Sequence, residues 1–196
     1  MLIINKINYF YEVNVKHLTF KYINMKNYEL KLFPKHTGIW EGTYRRIGAD
    51  GILIDQWKSR LTIRFLPDGR YHQVNQYFWE DGFEECLDFG INSFNDKGEL
   101  IFENPRLSGK AWETGRSVVL IWDYKHRPGM TLFEQIDLIG NDDHRIRVWK
   151  WSEKDTFNGV TMIEERKVAT EEEIDPQFWV DLPNKRTNGQ ASRSDS

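Results

Sequence analysis

Seven clusters of turn-forming residues cut the middle of this 196-residue chain into runs of strand length, and that spacing limits its fold more than any other feature. GADG at Gly48 to Gly51, PDG at Pro67 to Gly69, EDG at Glu80 to Gly82, NDKG at Asn95 to Gly98, PG at Pro128 to Gly129, NDD at Asn141 to Asp143 and FNG at Phe157 to Gly159 supply the Asp, Asn, Pro and Gly that tight reversals need. The runs between and around them are GIWEGTYRRI, QWKSRLTIRFL, RYHQVNQYFW, FEECLDFGI, ELIFEN, RSVVLIWDY, MTLFEQIDLI, HRIRVWKW and VTMIEERKV. These runs, joined mostly by hairpins, predict an all-β antiparallel up-and-down meander of about 8–10 strands. No helical stretch between them is long enough for a crossover, so a parallel βαβ sheet is excluded.

Polar groups interrupt both faces of the predicted strands. In MTLFEQIDLI, Leu132, Glu134, Ile136 and Leu138 share one face and Thr131, Phe133, Gln135, Asp137 and Ile139 the other. In HRIRVWKW, Arg145, Arg147, Trp149 and Trp151 lie opposite His144, Ile146, Val148 and Lys150. A sheet with one wet face separates polar from apolar more cleanly. Polar groups among aromatics on both faces fit a closed barrel with a partly polar lumen, with a sandwich as the alternative.

Charge and texture divide the chain. Residues 1–36 carry six Lys against two Glu, residues 37–169 carry 18 basic against 22 acidic groups, and residues 170–196 carry three against six. The reading is a loosely packed N-terminal extension over 1–36, a barrel over 37–169, a short helix or turn docking through Phe178 and Trp179 over 170–183, and a disordered tail over 184–196. Met25 competes with Met1 as the true start. In the third segment Thr170 stands as an N-cap before three Glu, where a helix dipole favours anions.

The most specific local signal is GIWEGTY, Gly38 to Tyr44, opening the first strand after a break. It resembles the G-x-W opening of lipocalin-like (calycin) barrels. With QWKSRLTIRFLPDGRYHQVNQYFWEDG and HRIRVWKW, the stretch from about Lys35 to Val168 is similar to an uncharacterised lipocalin-like family of photosynthetic bacteria. The resemblance implies a barrel closed at one end by Trp40, with an Arg from a late strand, Arg147 or Arg166, packed across it. It implies no reaction. Some related barrels that open G-x-W-x-G bind haem through a late His, but the only late His here is His144, in a predicted turn, and no cofactor is expected.

Function classes fall away in turn. A lone Cys86 forms no internal disulfide and no four-thiolate zinc site, and it points to a reducing compartment, the cytoplasm. No apolar run approaches the length of a membrane span. Net charge is −3, and acidic residues break every run of Arg45, Arg46, Arg60, Arg64 and Arg70, which argues against nucleic acid. No G-x-S-x-G elbow, P-loop or dinucleotide fingerprint is present. Asp142, Asp143 and His144 read as a solvated turn, so no metal site is expected.

What remains is polar groups interleaved with aromatics. Tyr44 is in phase with Trp40, Gln73 and Asn75 with Tyr77, and Arg147 with Trp149; converging in one lumen, they form a pocket for a small hydrophobic or aromatic ligand. Arg147 is the expected orienting group for a ligand carboxylate or carbonyl. Glu134 and Glu164, each expected among apolar neighbours, are the candidates for proton transfer if the pocket is that of a cyclase, isomerase or lyase. A protein-interaction module using a strand edge or aromatic patch is the third class.

Overall fold

The computed structural model describes residues 28–185 and 193; residues 183–185 are described only as helical backbone. Ten strands close into one antiparallel barrel: β1 (Gly38–Gly48), β2 (Leu53–Phe65), β3 (Tyr71–Phe78), β4 (Glu84–Phe94), β5 (Leu100–Glu103), β6 (Leu107–Thr114), β7 (Ser117–Tyr124), β8 (Met130–Ile139), β9 (His144–Glu153) and β10 (Thr156–Ala169). Each strand pairs with its neighbours in sequence, and β10 returns to pair with β1. The antiparallel meander read from the turns is the observed fold, and it is a barrel, not a sandwich. Among the described residues no helix is long and apolar enough to cross a membrane.

Six of the seven turn clusters lie in hairpin connections. The seventh does not. Lys154 and Asp155 make the β9–β10 reversal, both with positive φ (48° and 64°), and the Phe157–Gly159 segment is a bulge inside β10. Strand β6, LSGKAWET, is missing from the sequence-derived set because Ser, Gly, Lys, Glu and Thr outnumber its apolar residues; it pairs along its whole length with β7.

Period two sends one face of every strand inward. Trp40, Tyr44, Trp57, Leu61, Ile63, Tyr71, Tyr77, Phe89, Leu100, Phe102, Leu107, Trp122, Leu132, Trp149, Trp151 and Ile163 form one continuous buried cluster. Trp40 is fully buried, with its Nε1 donating to the His36 carbonyl at 2.9 Å. A second, smaller cluster lies outside the barrel, where α1 (Pro176–Lys185) lays Phe178, Trp179 and Leu182 over Val74 and Cys86. The Arg64 guanidinium sits 3.7 Å from the Trp179 ring, and His72 is 4.7 Å from it. Before α1, Thr170 and Glu173 form a reciprocal capping box on a 3-10 turn.

The expected loose extension over 1–36 needs correction at its end. A 3-10 turn at Phe33–His36 plugs the barrel: Phe33 is 3% exposed and stacks edge-on against Tyr71 and Phe94. The carboxylate of Glu113 accepts the backbone N–H groups of Lys31, Leu32 and Phe33 at 2.6–3.0 Å, which fixes the plug. An apolar residue before Pro34 and a carboxylate far along the chain do the work together, so the local sequence shows only half of it. Residues 1–27, with the choice between Met1 and Met25, lie outside the described residues, as does the tail beyond residue 185 apart from Arg193.

Candidate ligand site in the barrel lumen

The lumen has a charged side and an apolar side. On the charged side, β8 and β9 present Glu134, Arg145 and Arg147, β10 presents Glu165, and β1 presents Tyr44, all at most 3% exposed. Arg147 donates through Nε to Glu134 (2.5 Å) and through Nη1 to the Tyr44 hydroxyl (2.9 Å) and Glu165 (3.2 Å). Arg145 donates through Nε to Glu165 and approaches His36 Nδ1 at 3.3 Å. An arginine only donates, so that ring nitrogen is the unprotonated one.

Two guanidiniums and two carboxylates balance, as charges this deep must. Burial disfavours the charged form of Glu165, but Arg145 and Arg147 outweigh it and hold the carboxyl below its ordinary value. Burial, reinforced by Arg145, Arg147, Lys167 and Lys35, pushes His36 well below the usual imidazole range. Burial likewise pushes the Tyr44 hydroxyl well above its ordinary value, although Arg147 pulls the other way. His36 and Tyr44 are therefore neutral, and the second glycine of GIWEG has its reason here. A Cβ on Gly42 would stand 2.5 Å from the Glu165 side chain and 2.1 Å from the Glu164 carbonyl oxygen.

Facing these charges, Phe33, Phe89, Leu100, Phe102, Ala111, Val118, Leu120 and Trp122 complete the wall of a cavity of about 30 Å³. That is room for one or two waters, or for the head group of a larger molecule. Four buried polar atoms on lining residues have no hydrogen-bond partner in the protein: Glu134 Oε2, Arg145 Nη2, Trp149 Nε1 and Trp122 Nε1.

Of the residues expected in the pocket, Gln73, Asn75, Arg147, Trp149 and Glu134 line this cavity. Tyr44 and Tyr77 stand one layer behind it, 5.2 Å apart ring to ring; Asn75 donates to the Tyr77 hydroxyl at 2.7 Å, and Gln73 donates to Asn75 at 2.9 Å. Glu164 is elsewhere. It lies on the outer face of β10, 3.2 Å from His144, and the inward carboxylate is its neighbour Glu165. Alternation could not choose between them, because Met162-Ile163 and Glu164-Glu165 are doublets that fit either phase. The arginine across Trp40 is Arg145, at 4.1 Å, and neither Arg147 nor the exposed Arg166. Arg145, Glu165, His36, Phe33 and Trp122 escaped the sequence reading; the shared phase of Arg145 with Arg147 was the one available signal. Among the described residues no cluster of three His, Cys, Asp or Glu is placed to hold a metal.

Residues 25–170 match the family described as domain of unknown function DUF3598, N-terminal. The chain belongs to the DUF3598 family. No curated protein matches it in sequence. A DUF3598 protein of unknown function from Nostoc punctiforme superposes with a TM-score of 0.57 at 16% identity, over 69% of this chain and 49% of the other. This DUF3598 chain thus spans about half the length of that relative. An S-type phycobiliprotein lyase from Guillardia theta superposes with a TM-score of 0.53 at 13% identity, over 69% of this chain and 90% of the lyase. At such identities the likeness is one of fold, the lipocalin-like barrel.

Proposed function

We propose that the protein binds one small, largely apolar or aromatic molecule in its lumen and holds it by a polar group. The observation that carries this reading is the set of four partnerless polar atoms on residues that line one cavity. A buried polar atom left without a hydrogen bond costs about 1–3 kcal/mol, and more when charged. Three N–H donors and one carboxylate oxygen on the residues of one wall suit a group that both accepts and donates, such as an amide, a lactam or a carboxylic acid. Aromatic rings on the remaining walls suit the rest of such a molecule. The setting is the cytoplasm, where the single cysteine needs no partner.

An enzyme of the lyase or isomerase type is the second reading. The likeness to a phycobiliprotein lyase favours it, as does the free oxygen of Glu134, a proton acceptor held by Arg147 against the cavity.

Fluorescence titration with biliverdin, an open-chain tetrapyrrole with lactam and carboxyl groups, and with 1-anilinonaphthalene-8-sulfonate tests the proposal. Trp149→Phe removes one cavity N–H and keeps a ring; it is expected to weaken binding about three- to tenfold, the worth of one hydrogen bond. Trp57→Phe removes a partnerless N–H that does not border the cavity and is expected to change nothing. Equal effects of the two, or saturation by neither probe, would overturn the reading. A probe recovered with a new mass supports the enzyme, and one recovered intact supports the carrier.

A further inference from the structure

The barrel wall is thin at one place. β4 pairs with β3 along its length but meets β5 only at Ser93 and Phe94, opposite Ile101 and Leu100. A bulge causes the divergence: between the pairs His72–Ile91 and Val74–Asp88, the single residue Gln73 on β3 faces both Phe89 and Gly90 on β4. Gly90 has φ +79°, the left-handed region that glycine adopts without penalty. Bent away, this part of β4 has no strand on its outer edge, and side chains take over. Asn92 Nδ2 donates to the Phe89 and Gly90 carbonyl oxygens at 3.1 and 3.0 Å, and Asp88 accepts the Gly90 N–H at 2.7 Å.

A surface cavity of about 240 Å³ lies in this slot, bounded by Asp88, Phe89, Gly90 and the turn from Asn104 to Leu107. Phe89 also lines the lumen, and it is the one residue common to both spaces. Its ring, 5% exposed, stacks on Trp122 at 5.7 Å, and the Arg106 guanidinium lies 5.0 Å from it. The two ends of the barrel are stopped differently. Phe33, His36 and Trp40 fill one; at the other, Arg193 lies 4.8 Å from the Trp79 ring and 2.6 Å from Asp81.

We infer that the slot between β4 and β5 is the route into the lumen, that Phe89 is its gate, and that what passes is a flat aromatic or conjugated molecule able to take the place of Phe89 on the face of Trp122. The inference rests on the ligand-binding reading above. Phe89 borders both spaces, so displacement of its ring joins them into one large enough for more than a head group. The strand edge that gives way carries side-chain hydrogen bonds in place of a ladder, so opening breaks few bonds.

The test measures access without any ligand. Ala111→Cys puts a thiol on the cavity wall, and methyl methanethiosulfonate reports how fast it is reached, with the modified peptide identified by mass. Cys86, buried beneath α1, reports unfolding in the same sample. Adding Phe89→Ala is expected to speed modification at the introduced thiol about tenfold or more and to leave Cys86 unchanged. Trp79→Ala, at the barrel end, is expected to change neither rate. No acceleration by Phe89→Ala, acceleration by Trp79→Ala instead, or both thiols rising together would overturn the gate. Ligand retention with a slow slot would discard the slot and keep the ligand; a fast slot with no ligand would do the reverse.

Discussion

From β8 through β10 to β1 the strands are long and paired along their lengths, and they aim Glu134, Arg145, Arg147, Glu165 and Tyr44 inward; from β4 to β6 they are short or bulged and aim Phe89, Leu100, Phe102, Leu107 and Ala111 inward. The contrast has a physical basis. A buried ion pair holds only while its geometry holds, and those side chains stand on stretches paired on both sides in unbroken register. Apolar contacts survive small shifts, so the opposite wall can be broken by a bulge at little cost. The ion pairs sit on the fully paired side, and the proposed entry slot lies on the bulged side.

The largest expected effect strikes at that contrast. Arg147→Met leaves Glu134 buried with no cation beside it, and urea unfolding is expected to show a loss of about 3–5 kcal/mol. Adding Glu134→Met in the same chain is expected to recover most of it, because the uncompensated charge is gone. Leu100→Met, on the loose wall, is expected to cost less than about 1.5 kcal/mol. Equal losses at the two positions would erase the distinction.

A smaller effect sharpens it through pH. His36 is pushed well below its ordinary value when folded, by burial and by Arg145, Arg147, Lys167 and Lys35. Below about pH 6.5 the unfolded chain takes up a proton at this position that the folded chain refuses, so stability falls as pH falls, by up to about 1.4 kcal/mol per unit. Glu165, held below its ordinary value, adds a second loss as pH drops below about 4.5 toward its folded pKa. His36→Gln keeps an acceptor for Arg145 and is expected to flatten the profile between pH 6.5 and 5 relative to the wild type. An unchanged slope would show that His36 titrates as it does in the unfolded chain.

The same division governs how much could be read from sequence. Turns are local chemistry, so the meander was legible from clusters such as GADG and NDKG, and only β6 and the true β9–β10 reversal escaped. The charged side was half legible. Period two put Arg147 in phase with Trp149 and Glu134 in phase with Leu132, and the large apolar partners of each lie inward. It failed at Glu164 and Glu165, where like residues sit side by side and alternation of character gives no phase. Phe33 enters the lumen where Glu113, some eighty residues away, accepts the backbone N–H groups of Lys31, Leu32 and Phe33, and His36 follows in the same 3-10 turn. The thin wall was illegible, since a bulge is a relation between two strands and Gly90 alone reads as an ordinary glycine.

The central claim is that the charged side of the lumen holds a molecule from outside the chain. Native mass spectrometry of the protein purified from the cells that make it, beside the Glu134→Gln variant prepared in the same way, tests it most directly. The account predicts one small molecule per wild-type chain, released on denaturation, with its occupancy reduced in the variant under conditions where circular dichroism shows the variant folded. Wild-type protein at the mass of the bare chain, under conditions that preserve non-covalent complexes, would contradict it.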